Sequence, residues 1–458
     1  MGNTRPSLSK VTLPLVGEFL LGISVAMTGL YLASHTSDAA ASTFGLTQQV
    51  LETLFVVFRV LAIGTGILVT QRLGGGQPDQ AREIAFAAVG ASTWAGLAVA
   101  SWLLLGDQLT LDILNAPVEL RPQASLYMAL LAPSMVLEAC NLCMAAVLRA
   151  HLYVRESLWI MLAMHGSHLL LAFLFMRGWG AWAGWGLNGY AVAWMISRSI
   201  GLSLHIWLWR SRMGFRPTWH HGWRVSGSKL WPILHIGLPG AAHELMYRMA
   251  FLVSLSATAR LGVSALATHS YTLQTLKYVA LISIALGWAC EIMVGRLVGA
   301  GRLREADRMV RKAVRNGLLA SGALVIFAAL VAPWWMQIFT RDVVIIETAQ
   351  TLLWLSVMLE LGRVFNLVLV GALRATGDVH FPVLAGSASI VLFLGVGSYL
   401  LGRTFGLPGI WMAYVLDECV RGALMWWRWR RQAWLPYAKL ILRRMRKSQS
   451  SHTPATQT

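Results

Sequence analysis

Leu73-Gly74-Gly75-Gly76-Gln77-Pro78-Asp79-Gln80-Ala81-Arg82 returns 225 residues later as Val298-Gly299-Ala300-Gly301-Arg302-Leu303-Arg304-Glu305-Ala306-Asp307. Gly74, Gly76 and Ala81 are the positions that recur unchanged. Pro14 returns as Pro239 at the same offset, and Leu148-Arg149-Ala150 returns as Leu373-Arg374-Ala375. Near the end of each half, Gly186-Leu187-Asn188-Gly189 is echoed by Gly406-Leu407-Pro408-Gly409 at an offset of 220, so a short deletion separates the copies. A register held over this distance marks two homologous halves, and a shared site is expected between them.

The solvent for which the chain is built follows from its composition. Hydrophobic residues make up 56% and charged residues 13% of the 458 positions, against about 25% charged in soluble domains. Mean hydropathy is +0.59. Apolar runs of about 20 residues recur along the chain, each long enough to cross hydrocarbon as a helix. Sustained alternation is missing, and open sheet edges cannot face lipid, which excludes strands. The runs predict twelve helices near 11–34, 44–70, 84–105, 123–148, 157–177, 184–209, 231–259, 266–298, 313–340, 348–373, 381–403 and 407–429. The expected fold is an all-α polytopic membrane protein with twelve transmembrane helices in two pseudo-symmetric six-helix lobes. In domain terms this reads as an N-terminal segment 1–10, a first lobe 11–210, a basic linker 211–230, a second lobe 231–429 and a basic tail 430–458.

A net charge of +18 raises the question of nucleic acid, but the charge is not spread as a binding face. Arg210, Arg212, Arg216, Arg224 and Lys229 crowd the central loop. Arg302, Arg304, Arg308, Arg311, Lys312 and Arg315 follow the eighth helix, and Arg428, Arg430, Arg431, Lys439, Arg443, Arg444, Arg446 and Lys447 fill the tail. The opposite loops offer Arg121, Arg177, Arg260, Arg341 and Arg403. This is the positive-inside pattern, which predicts a multi-pass protein of the plasma (inner) membrane with both termini cytoplasmic. No nucleic-acid partner is expected, while the basic tail is suited to rest on anionic lipid.

Arg5 and Lys10 run directly into a long first helix containing Pro14 and Glu18, a pattern unlike a cleaved leader. The polar stretch 448–458 is expected to be disordered. Trp207, Trp209, Trp334, Trp335, Trp426, Trp427 and Trp429 fall near helix ends and read as interface anchors. Cys140, Cys143, Cys290 and Cys419 all lie inside apolar helices, where packing is favoured over redox chemistry. Gly74, Gly76, Gly299 and Gly301 end long helices before basic loops and are expected to serve as helix caps. A phosphate cradle is disfavoured, because no Gly-Lys-Ser/Thr follows. Pro14 and Pro239 are expected early in their helices, where a missing N–H costs little, or else at a bend, with helix-start geometry the default.

Three stretches carry a resemblance to the MATE (multidrug and toxin extrusion) family of secondary transporters. Gly64-Thr65-Gly66-Ile67-Leu68-Val69-Thr70-Gln71-Arg72-Leu73-Gly74-Gly75-Gly76 resembles the glycine-rich end of that family's second helix. Gly237-Leu238-Pro239 is similar to its repeated Gly-x-Pro helix start. The run from Gly262 to Ser270, with Ala267-Thr268-His269, and then Val294-Gly295-Arg296-Leu297-Val298-Gly299-Ala300-Gly301, resembles its seventh-to-eighth helix region. The resemblance spans residues 11–425. It implies two six-helix lobes around a central cavity, and export of organic, often cationic and amphipathic, xenobiotic compounds by antiport against Na⁺ or H⁺. The chain departs from the family in its first helix, where many bacterial members carry an Asp and this one reads Ala26-Met27-Thr28-Gly29-Leu30. In the fifth helix, where some members have Asn, it reads His165-Gly166-Ser167-His168.

Ionisable residues in membrane helices are costly, so each is a functional candidate. Glu244 with Arg248, Glu360 with Arg363, and Asp417 or Glu418 with Arg421 are three or four positions apart and read as ion pairs on one helical face. Arg59 stands two turns from Glu52. Glu291, beside Arg296, reads as structural. Glu18 and Glu138 have no cationic neighbour in sequence. Glu18 follows Pro14 by four residues and Glu244 follows Pro239 by five, so the two carboxylates are expected at similar depth on the two walls of a cavity. A carboxylate deprived of water can hold a proton and surrender it to a bound organic cation, and that mutual exclusion suffices for antiport. His168 and His243 are further proton-transfer candidates, and Lys277 a partner for an acid on another helix. The candidates for ion coupling and substrate are therefore Glu18, Glu244, Glu138, Glu360, His168, His243 and Lys277. Arg248, Arg363, Asp417 and Arg421 are the structural ion-pair candidates.

No converging set of Asp, Asn and Ser/Thr oxygens is visible in sequence, which favours H⁺ over Na⁺; no metal site and no cofactor are expected. Abundant Met, Trp and Phe suit a permissive cavity for amphipathic compounds. The alternative within transport is a lipid-linked sugar flippase of the same wider superfamily, kept open by Arg59, Arg198 and Lys277. No H-E-x-x-H, Gly-x-Ser-x-Gly or paired membrane Asp motif points to an enzyme.

Overall fold

The computed structural model describes residues 7–179, 182–338 and 340–450. The apolar runs form α1 (Leu8–Ser34), α2 (Asp38–Gly74), α3 (Pro78–Leu105), the short α4 (Asp107–Ile113), α5 (Arg121–Leu131), α6 (Ser134–Ala150), α7 (Val154–Arg177) and α8 (Leu187–Met213). After the short α9 (Trp219–Trp223) come α10 (Gly227–Ala259), α11 (Val263–Gly299), α12 (Leu303–Trp335) and α13 (Val343–Ala375). The chain then runs through α14 (His380–Ser389), a π-helical stretch Ile390–Gly397, α15 (Ser398–Arg430) and α16 (Leu435–Ser450).

Nine helical stretches among the described residues are long and apolar enough to cross a membrane, and α5 with α6 forms another, bent by 50°. Pro133 stands in that break and cannot donate the helical N–H, which accounts for the bend. The stretch His380–Arg430 is one of the nine and folds back on itself as two spans. Gly406 takes φ 63°, a left-handed conformation that reverses the chain. On either side, Gly402 faces Ile410 and Gly397 faces Ala413, as two antiparallel helices require. The remaining expected span is α10, whose apolar stretch is interrupted by His243, Glu244 and Arg248. Each of the twelve helices read from the sequence therefore has a counterpart.

Four details differ from expectation. Pro14 and Pro239 lie inside α1 and α10 rather than at their starts, since those helices begin at Leu8 and Gly227. Gly76 (φ 70°) and Gly301 (φ 73°) do close α2 and α11, but Gly74 and Gly299 serve a different end. A Cβ on Gly74 would meet the Arg296 carbonyl oxygen at 2.1 Å, and one on Gly299 would meet that of Gln71 at 2.0 Å. These are reciprocal contacts between repeat-related positions, made where two helix ends touch through their backbones. Trp209 and Trp429 are fully buried rather than anchors. Trp209 packs edge-on against Phe215, and Trp429 stacks on Trp434 and donates to Asp307 at 2.8 Å. Finally, α16 continues through Ser450, so the start of the stretch expected to be disordered is helical; residues 451–458 lie outside the described residues.

The chain divides into two compact units. One comprises Gly17–Val69 and Pro78–Gly237; the other takes the residues up to Val16, Thr70–Gln77 and everything from Leu238 onward. The first helix of each half thus changes unit beside its repeat-related proline. In the first unit the core is built by Phe44, Phe58, Leu103, Leu111, Met128, Met135, Met176 and Tyr190. The segment expected as a linker carries α9, and Gly90 of α3 lies directly under the Arg224 and His221 carbonyls. In the second unit Val294, Val298, Val310, Val364, Val368, Met425, Trp429 and Trp434 form one cluster, and a separate one gathers around Leu352, Leu353 and Trp411.

Candidate functional site

Within the second unit, α13 and α15 approach through glycine. A Cβ on Gly362 would fall 2.7 Å from the Cys419 nitrogen, and one on Gly422 would fall 2.7 Å from the Gly362 carbonyl. Backbones this close bring the charged side chains one turn away into a single buried cluster. Arg363 binds Glu360 on its own helix and reaches Glu418 Oε1 at 3.4 Å across to α15. Arg421 grips Asp417 through two bonds, at 3.1 and 2.6 Å, and meets Glu418 at 3.1 Å. Asn366 donates to Glu418 Oε2 at 2.9 Å and Ser389 to Asp417 Oδ1 at 2.8 Å. Ser283 of α11 donates to Glu360 at 3.3 Å and is itself 3.1 Å from Ser321. Tyr247 of α10 lies with its ring centroid 5.8 Å from the Arg421 guanidinium carbon. Three carboxylates, Glu360, Asp417 and Glu418, are thus held by two guanidinium groups.

The first unit pairs its charges one to one. Glu138 of α6 meets Arg198 of α8 at 2.5 Å, and the guanidinium lies over Trp194, 3.7 Å from its centroid. Asn141 donates to the Arg198 carbonyl at 2.9 Å, and its amide oxygen is 3.0 Å from His205 Nδ1. Glu18 binds Arg149 at 3.0 Å with both groups buried. Glu18 and Glu138, which have no cationic neighbour in sequence, each take an arginine from a distant helix, because low dielectric leaves an unpaired carboxylate too costly.

The repeat shows in this chemistry. Glu138 corresponds at the 225-residue offset to Arg363, Asn141 to Asn366, and Arg198 at the later offset of 220 to Glu418. Each half therefore bridges its fourth and sixth spans with one ion pair beside one asparagine, and the polarity of the pair is reversed between halves. The offsets of the repeat contained this signal, but they have to be applied to charged positions rather than to glycines. Likewise both repeat-related arginines of the Leu-Arg-Ala copies hold an acid, Arg149 taking Glu18 and Arg374 taking Glu291 at 2.7 Å. Glu291, read from sequence beside Arg296, is bound by Arg374 of α13.

Other candidates fall as follows. Glu244 and Arg248 pair at 3.4 Å, both partly exposed. Arg59 donates to the Glu52 backbone carbonyl at 3.2 Å. His168 is buried edge-on to Tyr190 and Trp194, with ring centroids 4.6 and 5.2 Å away. His243 is half-buried, its Nε2 lying 2.6 Å from where a Cβ on Gly386 would stand. Lys277 is exposed on α11 and forms no ion pair among the described residues. Cys140, Cys143 and Cys290 are buried thiols and Cys419 is half-buried.

"Uncharacterized transporter YisQ" of Bacillus subtilis is 27% identical, the alignment covering 94% of this chain and 95% of that protein. "Probable multidrug resistance protein NorM" of Thermotoga maritima is 23% identical, covering 92% and 91%. A crystal structure described as MATE in complex with MaL6 superposes with a TM-score of 0.85 at 18% identity, covering 94% and 96%, so the fold is shared. The twelve-helix, two-lobed architecture is that of these transporters. The MatE family model matches twice, over residues 14–174 and 239–400, each match opening on a repeat-related proline, and the chain accordingly belongs to the MatE family of multi-pass membrane transporters.

Proposed function

We propose that the protein is a secondary active antiporter that exports organic, cationic and amphipathic compounds in exchange for H⁺ by alternating access, with the exchange seated in the carboxylate cluster of the second unit. It resides on this reading in the plasma (inner) membrane with both termini cytoplasmic. The single observation that supports the assignment is the excess of one carboxylate over guanidinium groups among Glu360, Asp417, Glu418, Arg363 and Arg421. Glu18, Glu138, Glu244 and Glu291 are each met by an arginine. A matched pair neutralises itself. An unmatched carboxylate at membrane depth costs several kcal/mol unless a cation accompanies it. A proton on any of the three acids makes the cluster neutral, and loss of that proton leaves one negative charge attractive to a cationic substrate. Occupancy by one then weakens occupancy by the other. An acidic excess is also the wrong sign for a lipid-linked pyrophosphate, which argues against the flippase reading.

The test is efflux of a cationic dye from proteoliposomes under separate H⁺ and Na⁺ gradients. Wild-type efflux should follow the H⁺ gradient, and Glu360→Gln and Asp417→Asn should each reduce it at least tenfold, with residual dye binding that is weaker and no longer varies with pH. Efflux driven by Na⁺ alone, or undiminished in both variants, would overturn the assignment.

A further inference from the structure

The C-terminal helix α16 is four residues beyond the end of α15, and its course can be read from what it touches. Gln432 takes φ 55° in the turn, and Trp434 stacks on Trp429 with centroids 4.5 Å apart. Ile441 lies 2.9 Å from the place of a Cβ on Gly377, just beyond α13. Leu442 lies 4.0 Å from that of Gly301, just beyond α11. Met445 stands against Gly75, at the end of α2, and Gln77 donates to the Met445 carbonyl at 3.0 Å. Progress along α16 thus passes the ends of three membrane helices in turn, so the helix lies across them rather than continuing α15. It occupies the level at which spans give way to headgroups.

Its faces are sorted accordingly. Trp434, Ala438 and Met445 are buried against the second unit. Lys439, Arg443, Arg444 and Arg446 are exposed on the other side, and none forms an ion pair among the described residues. Asp378, at the same turn as Gly377, is taken by Arg428 at 2.9 Å. Between the cations stand Tyr437, 37% exposed, and Leu440, 45% exposed. Cations interleaved with an aromatic and an aliphatic side chain suit the boundary of a bilayer, where charge meets phosphate and apolar groups enter the acyl edge. A polyanion in water would give Leu440 no such environment.

We propose that α16 is an anionic-lipid-binding helix that clamps the ends of α2, α11 and α13, its apolar face on the glycine turns and its cationic face on lipid phosphates. Lipid of net negative charge would hold the helix down and, through Ile441, Leu442 and Met445, the three turns beneath it. The inference needs the membrane spans but neither the substrate nor the coupling ion of the proposed function, and its test uses no transport assay.

The full-length protein is placed in nanodiscs of phosphatidylcholine, alone or with about one phosphatidylglycerol in three, and amide hydrogen exchange is followed. The anionic lipid should slow exchange about tenfold in residues 435–446 and in the turns 74–77, 299–302 and 375–378. Lys439→Gln, Arg443→Gln, Arg444→Gln and Arg446→Gln combined should abolish the lipid dependence, leaving exchange in pure phosphatidylcholine as in the wild type. Replacing the three arginines by Lys should preserve it. Equal exchange in both lipids, retention of the dependence in the glutamine variant, or equal protection by a short RNA added to phosphatidylcholine nanodiscs at physiological salt would each overturn the proposal.

Discussion

Arg198 is among the largest fully enclosed side chains in the molecule, and Glu138 supplies its counter-charge at 2.5 Å. Removing one partner of such a pair costs about 3–5 kcal/mol, whereas replacing both by apolar groups is often neutral. Glu138→Gln should therefore lower the thermal unfolding midpoint in detergent sharply, and Glu138→Gln with Arg198→Met should recover most of the loss. A single variant as stable as the wild type would show that Arg198 reaches water or another acid. The reversed polarity at Arg363 and Glu418 carries a related lesson. What the duplicated scaffold requires at this place is one buried ion pair beside Asn141 or Asn366, and either helix can supply either sign.

At the scale of helices, the glycine repeat that marks the duplication is also a packing device. Gly74 and Gly299 let α2 and α11 meet backbone to backbone, with room for no Cβ on either side. Gly74→Ala and Gly299→Ala should each destabilise the protein by about 1–3 kcal/mol, the usual range for overpacking. Cysteine crosslinking between positions 71 and 296 should fall in parallel. Gly222, with the Thr93 hydroxyl at 3.8 Å and nothing nearer among the described residues, is the matched control; an equal effect there would remove the meaning of the comparison. Much of this element level was legible in the sequence. The twelve apolar runs, the left-handed turns at Gly76 and Gly301, and the pairs Glu360–Arg363 and Asp417–Arg421 follow from local spacing. Hidden were contacts whose partners are far apart in the chain: Glu18 with Arg149, Glu138 with Arg198, and the burial of Trp209 and Trp429. Helix periodicity reports which residues share a face, but not which neighbour that face meets.

For the molecule as a whole, the balance of buried charge bears on energetics of exchange. Among the described residues, Glu18, Glu138, Glu244 and Glu291 are each met by an arginine, while the cluster of Glu360, Asp417 and Glu418 holds three carboxylates against Arg363 and Arg421. On the proposed reading that excess is satisfied alternately by one proton and by one positive charge on the substrate. Exchange of a monovalent organic cation for one proton moves no net charge, so a pH gradient should drive it and a membrane potential should not. A divalent cation would leave one charge uncompensated, and its efflux should then respond to potential, which is worth about 2.3 kcal/mol per charge per 100 mV. The measurement is efflux of a monovalent and a divalent dye from proteoliposomes in which a potassium diffusion potential and a pH gradient are imposed separately. Efflux of the monovalent dye driven by potential alone would mean that more than one proton is exchanged, and that acids outside the Glu360–Asp417–Glu418 cluster take part. If asparagine at position 417 abolished pH-driven exchange and left only weak dye binding that no longer varies with pH, the excess charge would be traced to the helix pair that Gly362 and Gly422 hold together.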